Sequence, residues 1–295
     1  MQMKKALLAL TVAATALVSS AADKKIVLLA GPPSHGPGDH EHRAGCLLLA
    51  RCLNGVPGVT ASVYSNGWPA NPSEAFADAS TIVIYSDGGG GHPFLKGDRL
   101  KTIAELMNKG VGLACIHYAV EPTKESGEKE FLDWIGGCFE IDWSVNPTWR
   151  AQYKTLPTHP ATRGVKPFEL NDEWYFYMRF RDGRQGVTPL LSAVAPASTM
   201  SRADGPHEGN PTVRESVKRG DPQVMAWVYE RPDGGRGFGF TGAHYHKNWG
   251  NDDFRKLVLN SILWTAKAEV PAEGVNCQVT PDDLKQNLDF KGQRR

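Results

Sequence analysis

Short, continuously apolar runs constrain the fold of this chain more than any other feature. Lys24–Ala30 (KKIVLLA), Thr81–Ser86 (TIVIYS) and Leu113–His117 (LACIH) show no alternation of polar and apolar residues. A strand with one wet face alternates, whereas a strand covered on both faces does not. Between these runs lie stretches with helical apolar spacing. One spans Glu41 to about Asn54, with Asp39 or His40 near its N-cap. The other spans Asp98–Lys109 and is closed by Gly110, a residue suited to a left-handed helix end. Val59–Tyr64 adds a further strand. This alternation predicts an α/β fold built on a doubly wound, mostly parallel sheet. Further along, Trp149–Leu156 and Val187–Ala193 read as strands. Val224–Tyr229 and Arg236–Ala243 read as a pair joined by the turn Pro232-Asp233-Gly234-Gly235. Ser201–Gly220 is polar and reads as a surface insertion. Asp252–Ala266 reads as a final helix.

In a parallel sheet the carboxyl ends of the strands share one edge, and ligands bind there. Of the nine histidines, His35, His40 and His42 follow the first strand, His92 the third, His117 the fourth, and His244 and His246 the last. His159 and His207 lie elsewhere. His117 ends a buried strand at a sharp turn, where several hydrolase families place a nucleophile. An imidazole there points to metal ligation or acid/base work rather than acyl transfer. The expected metal ligands are His35, His42, His92, His117 and His244, holding zinc or a similar divalent ion. The expected catalytic groups are Glu173, His117 and His244. Gly90 and Gly91, within the run Gly88–Gly91, are expected to offer backbone N–H groups to substrate. Tyr118, Asp172, Trp174 and His246 complete the expected substrate site, since flat aromatic faces suit sugar rings. Plainer roles stand beside these. The loop histidines can be solvated, the glycines can form a flexible loop, Asp172 and Glu173 can be an ordinary acidic loop, and Trp174 can be core.

Lys and Arg number 33 against 32 Asp and Glu, and no basic run stands out. Neither a nucleic acid nor a membrane surface is therefore an expected partner, and no nucleotide cofactor is expected. At the N-terminus Lys4 and Lys5 precede an apolar run, Ala6–Val18, which is too short to span a bilayer comfortably; Ser20-Ala21-Ala22 then supplies small residues. Residues 1–22 are expected to be a signal peptide, residues 23–267 the folded domain, and residues 268–295 a tail without a core pattern of its own. The mature protein would be exported, periplasmic or extracellular, with no membrane association after cleavage. Cys46, Cys52, Cys115, Cys138 and Cys277 form no C-x-x-C motif. An exported compartment permits a disulfide, but spacing nominates no pair. Cys115, inside a strand, reads as a small core residue.

The segments GVGLACIHYAVEP, THPATRGVKPFELNDEWYFY and GRGFGFTGAHYHKNW, followed by FRKLVLNSILWTA, resemble the ThuA-like (trehalose-utilisation) family. The resemblance covers about Lys24 to Ala266. That family is similar in fold to class I glutamine amidotransferases, a flavodoxin-like three-layer sandwich. The amidotransferase pattern has a cysteine nucleophile where this chain has His117, and a glutamate where it has His246. Glutaminase chemistry is therefore not expected. The resemblance implies a role in disaccharide catabolism, with a carbohydrate of trehalose or 3-keto glycoside type as substrate. Two readings follow. One is a metal-dependent hydrolase, lyase or isomerase acting on a sugar, and the other is a non-catalytic sugar-binding protein of the same fold.

Overall fold

The computed structural model describes residues 23–291; the expected signal peptide at 1–22 lies outside the described residues. In chain order the elements are β1 (Lys24–Ala30), α1 (His42–Leu53), β2 (Val59–Tyr64), α2 (Pro72–Ala75), β3 (Ala79–Tyr85), α3 (Arg99–Asn108), β4 (Gly112–Ile116), α4 (Glu128–Trp134), β5 (Gly137–Cys138), β6 (Thr148–Tyr153), β7 (Phe168–Glu173), β8 (Arg179–Phe180), β9 (Val187–Val194), α5 (Pro211–Arg219), β10 (Pro222–Glu230), β11 (Arg236–Phe240) and α6 (Asp252–Thr265). Seven strands form one sheet in the order β2-β1-β3-β4-β11-β10-β9. The first five are mutually parallel, and β10 runs antiparallel to both of its neighbours. This is the doubly wound, mostly parallel sheet that the apolar runs require. Among the described residues no helix is long and apolar enough to cross a membrane.

The two faces of β1 show why its sequence does not alternate. Ile26, Leu28 and Ala30 pack with Leu49 and Leu53 of α1 and Leu257 and Leu263 of α6. Val27 and Leu29 point the other way and pack with Ile103 and Met107 of α3 and Phe131 of α4. Each fully buried Leu, Ile or Val stabilises the fold by roughly 1.5–3 kcal/mol relative to exposure. Both faces therefore contribute, and neither has room for a polar residue.

The structure adds detail to the chain's organisation at four places. Ser201–Gly220 contains α5, capped by the Asn210 side chain, which accepts from the N–H groups of Thr212 and Val213 and buries Val213 and Val217. The helix α4 went unread because its seven residues, EKEFLDW, are too short to show a period. Asp172 and Glu173 sit at the end of a strand rather than in a loop: β7 pairs antiparallel with β6, outside the main sheet, with Thr148 opposite Glu173. The tail is also anchored. Val270 and Val275 are buried, and Cys277 forms a disulfide with Cys52 of α1.

The strand β11 (RGFGF) delivers the chain to the site. Phe238 and Phe240 fill one face of it. Gly237 and Gly239 occupy the other, because a Cβ at Gly237 would lie 2.4 Å from the Trp134 carbonyl oxygen and one at Gly239 would lie 2.1 Å from the Trp227 ring. The Trp227 indole is itself fixed by its N–H bond to the Ile135 carbonyl, 2.7 Å. Gly239→Ala is therefore expected to cost about 1–3 kcal/mol through overpacking. The check is a lower urea midpoint at unchanged denaturant slope; an unchanged midpoint would show that the Trp227 ring yields freely.

Candidate metal centre

Four adjacent strands, β1, β3, β4 and β11, release their chains at one edge of the sheet. The loop after β1 carries His40, β3 is followed by Asp87, β4 by His117, and β11 by His244. The hairpin strand β7 brings in Glu173 from outside the sheet. His40, His117, Glu173 and His244 present ligand atoms that all lie within 4.8 Å of one another. The Nε2 of His40 is 3.0 Å from the Nε2 of His117 and 3.0 Å from the Nδ1 of His244. Glu173 Oε2 is 3.1 Å from His244 Nδ1 and 3.6 Å from His117 Nε2. Four ligands about 2.0–2.1 Å from one ion, placed tetrahedrally, would be about 3.3–3.4 Å apart. The measured spacings bracket that value.

The outer ring nitrogens decide what the inner ones carry. His117 Nδ1 lies 2.8 Å from the Thr241 carbonyl oxygen, which can only accept, so Nδ1 bears the proton. His40 Nδ1 lies 2.7 Å from Asp87 Oδ1. Burial works upward on Asp87, but the hydrogen bond from His40 and the nearby His42 hold its carboxyl well below the usual range. Asp87 is thus an ionised acceptor and His40 Nδ1 the donor. Burial pushes the His40 pKa down to about 3, and burial with His40 alongside pushes His117 well below its ordinary value. Both rings are then neutral with unprotonated Nε2 atoms. Two lone pairs therefore face each other at 3.0 Å. A cation between them turns that repulsion into ligation. The outer bonds to Asp87 and Thr241 are the kind that orient metal-bound imidazoles.

The other two groups are electrostatically coupled. Burial works downward on His244, but its hydrogen bond to Glu173 outweighs it and raises the pKa. Burial works upward on Glu173, but His244 and His117 hold its pKa below the ordinary value. Several local backbone conformations are also unusual. His35, His40, His117 and Ala243 all adopt positive φ, between 46° and 85°. For residues with a Cβ such conformations cost energy and persist where the surroundings over-determine them.

A pocket of about 320 Å³ opens beside the cluster. Glu173, Tyr175, Tyr118, His35, Asn146, Arg202 and His207 line it, with Asn146 Nδ2 donating to Glu173 Oε1 at 3.3 Å. The Tyr175 hydroxyl is 3.3 Å from His117 Nε2. His207 Nε2 lies 2.9 and 3.0 Å from the two oxygens of Glu121. Burial raises the Glu121 pKa, and the Glu121 hydrogen bond raises that of His207, so this pair holds a proton readily.

The structure brings His117, His244 and Glu173 together and places Tyr118 in the pocket wall. His35 stacks on His40 at 3.6 Å between centroids and lies 3.8 Å from Asp87, so it touches the centre's rim. His42 is buried behind Asp87, 3.7 Å away, with Nδ1 facing the Pro32 carbonyl. The remaining expected residues are not part of this arrangement. His92 is committed to the fold: its Nδ1 accepts from Phe94 N–H, and its Nε2 faces the Ala119 carbonyl. Gly90 and Gly91 are exposed, away from the pocket lining. The constraint on the glycine run falls instead on Gly88, where a Cβ would lie 2.2 Å from the Tyr118 carbonyl oxygen. Asp172 is fully buried and accepts from the backbone N–H groups of Glu173, Ala243 and His244, so it shapes the turn that presents His244. Trp174 is core, its ring against Tyr153, Phe240 and Phe254. His246 is buried under the tail, its pKa lowered by burial to about 4.

The sequence reading did not single out His40 for the cluster, nor Asp87, Glu121, Asn146, Tyr175, Arg202 and His207 for its surroundings. His40 was one of three histidines in a loop, and only the loop's path singles it out. His207 sat in a segment read as surface insertion.

Solved structures of the same fold class include ThuA-like proteins. A putative ThuA-like protein from Bacteroides uniformis superposes with a TM-score of 0.57 at 15% identity, covering 85% of this chain and 94% of its own. Another from Parabacteroides merdae gives 0.54 at 14% identity, covering 88% and 94%. A glutamine amidotransferase from Thermotoga maritima aligns at 12% identity with a TM-score of 0.39, over 83% and 96%. Among curated proteins none matches significantly. Residues 59–265 match the ThuA trehalose-utilisation family, and the chain belongs to that family.

The buried imidazoles set a pH dependence. His40 is lowered to about 3, and His42, His92 and His246 to about 4. Unfolded, each titrates near 6.5. As pH falls from about 6.5 towards 4, the unfolded chain takes up protons that the fold refuses, so stability falls. The slope is at most about 1.4 kcal/mol per pH unit for each group. His207 and His244, raised, act in the opposite sense but are fewer. Metal-free protein is therefore expected to show a denaturation midpoint that declines steadily from pH 7 to pH 5. A flat profile would mean that these rings are charged in the fold.

Proposed function

We propose that this chain is an exported, metal-dependent enzyme of carbohydrate utilisation. It would act as a hydrolase, lyase or isomerase on a small sugar of trehalose or 3-keto glycoside type. The observation that carries this reading is the convergence of His40, His117, His244 and Glu173, whose ligand atoms all lie within 4.8 Å of one another beside a polar pocket. Three imidazoles and one carboxylate suit zinc or a similar first-row divalent ion. When bound, such an ion polarises a carbonyl oxygen or acidifies a water.

The pocket residues supply the rest. At about 320 Å³ the space is at the small end of ligand sites, which range over about 300–1,000 Å³, and suits one sugar ring. Tyr118 offers an aromatic wall, and Asn146 and Arg202 offer donors to hydroxyl groups. His207, backed by Glu121, lines the same pocket, where it would donate or accept a proton at the substrate. Export is supported by the character of residues 1–22 and by the Cys52–Cys277 disulfide, which needs an oxidising compartment to persist. Glutaminase chemistry has no support. Cys115 is buried within β4, and burial pushes its thiol far from the thiolate form.

Tag-free wild-type protein is expected to hold about one divalent ion per chain by elemental analysis and to turn over glycosides or their 3-keto forms. His117→Ala should lower metal affinity at least about 10- to 100-fold, since even removing a residue that only orients a ligand costs that much. Binding should weaken as pH falls, because His244, whose pKa is raised, must lose its proton to ligate. Wild type and variant with equal, negligible metal and unaltered sugar binding would leave the non-catalytic sugar-binding reading.

A separate expectation concerns Cys115→Ser. It should cost about 1–3 kcal/mol, as for a buried hydroxyl, and leave metal content and turnover intact. A thiol-directed reagent that abolished wild-type activity but spared this variant would assign Cys115 a role in the reaction.

A further inference from the structure

We propose that the C-terminal segment 287–291 is a strap that sets the position of His40, with Lys291 as a positioning residue of the metal centre. The proposal rests on the metal reading for its affinity readout only.

A lysine ordinarily keeps its ammonium in water. Here the Lys291 side chain is 2% exposed, and its partner Glu41 is 1% exposed. The Lys291 Nζ lies 3.2 Å from Glu41 Oε1 and donates to the carbonyl oxygens of Asp39 and His40. An ammonium has three donors, and these are three acceptors. Two of them belong to the backbone of the ligand loop itself.

Glu41 joins the loop to the tail. Its Oε1 also accepts from the Gly38 N–H at 2.9 Å, and its Oε2 accepts from the Asp289 N–H at 2.8 Å. The opposite side of the loop is held by the segment after β11. The His40 N–H donates to the His244 carbonyl, and the His246 N–H donates to the Gly38 carbonyl, both 2.9 Å. The loop is thus clamped between the chain that carries His244 and the tail. The clamp answers a specific difficulty. His40 has φ +46°, a sparsely populated conformation for a residue with a Cβ, and its ring must meet both Asp87 and His117. Such a conformation persists only where neighbours fix it.

The strap is itself fixed along α1, the helix that begins at His42. Arg43 donates to the Asn287 carbonyl, Arg51 pairs with Asp283 at 2.9 Å, and Cys52 is bonded to Cys277. Loop and strap are therefore referenced to the same helix. That gives the buried ion pair a positioning role.

The test uses the mature full chain with zinc as the probe. Zinc affinity is measured by competition with a chromophoric chelator, and amide hydrogen exchange is mapped on the metal-free protein. Lys291→Met is expected to raise the zinc Kd about 10- to 100-fold, the range for losing a group that orients a ligand. Exchange should accelerate at residues 36–42 and stay unchanged in β3 and β4. The pair Cys52→Ser/Cys277→Ser retains Lys291 but frees the strap's anchor, and should shift both readouts in the same direction by less. This pair also serves if Lys291→Met does not fold. Unchanged zinc affinity with unchanged exchange at 36–42 overturns the proposal. So does faster exchange spread evenly over the chain, since that marks a general loss of stability. If wild type binds no zinc yet Lys291→Met still loosens 36–42, the strap stands and the metal reading falls.

Discussion

Everything at the site depends on β1, β3, β4 and β11 being parallel and buried on both faces. Parallel strands must end on one edge, and burial on both faces leaves that edge as the place where the chain can turn out and present polar groups. Residues about 200 positions apart, His40 and His244, meet there with ring nitrogens 3.0 Å apart. The glycines of β11 serve the same end. With a side chain at Gly237 or Gly239 the strand could not lie against Trp134 and Trp227, and His244 would not arrive beside His117.

Within that frame, hydrogen-bond bookkeeping does the chemical work. The Thr241 carbonyl and the Asp87 carboxylate each accept a hydrogen bond from an outer imidazole N–H. They thereby fix which tautomer His117 and His40 adopt and point bare nitrogens at one another. Asp172 acts on the backbone in a similar way, using both oxygens on the turn of Ala243 and His244. The site is built from acceptors that orient donors, so its inner surface is rich in lone pairs and poor in protons. That is the electronic character a divalent cation requires.

The sheet and the edge were legible because burial on both faces leaves a one-dimensional trace, an apolar run without alternation. His117 was legible for the same reason, since it directly follows such a run, and His244 because it follows the expected strand Arg236–Ala243. Glu173 was found by its composition, although its strand was not. β7 reads FELNDE, with outer faces partly wet and its partner β6 in a separate hairpin, so no run marks it. His40 could not be separated from His35 and His42 because a loop has no period. Its selection depends on a positive φ and on contacts with His244 and Lys291, which are distant in sequence. Gly90, Gly91 and His92 misled because a glycine run next to a histidine has the composition of a ligand loop. In the fold, Gly88 makes the close approach and His92 fills a core position. The disulfide was illegible because pairing Cys52 with Cys277, 225 residues apart, is decided by where the tail returns to α1.

The energetic character of the site also bears on how it would be used. Two imidazoles of the site, His40 and His117, are held by burial below their ordinary pKa and cost stability as pH falls below about 6.5, and four residues with side chains held at positive φ lower stability at any pH. A ligand that binds only the folded state returns that stability by RT ln(1 + [L]/Kd), about 2.7 kcal/mol at a hundredfold excess over Kd. An arrangement that converges lone pairs before the ion arrives pays the organising cost during folding rather than during binding. The core on both faces of the sheet, the disulfide and the strap on α1 are the parts of the molecule able to bear that cost. The rigidity that keeps His40 and His117 facing each other at 3.0 Å is therefore a property of the whole sheet and tail, and not of the four ligand residues alone.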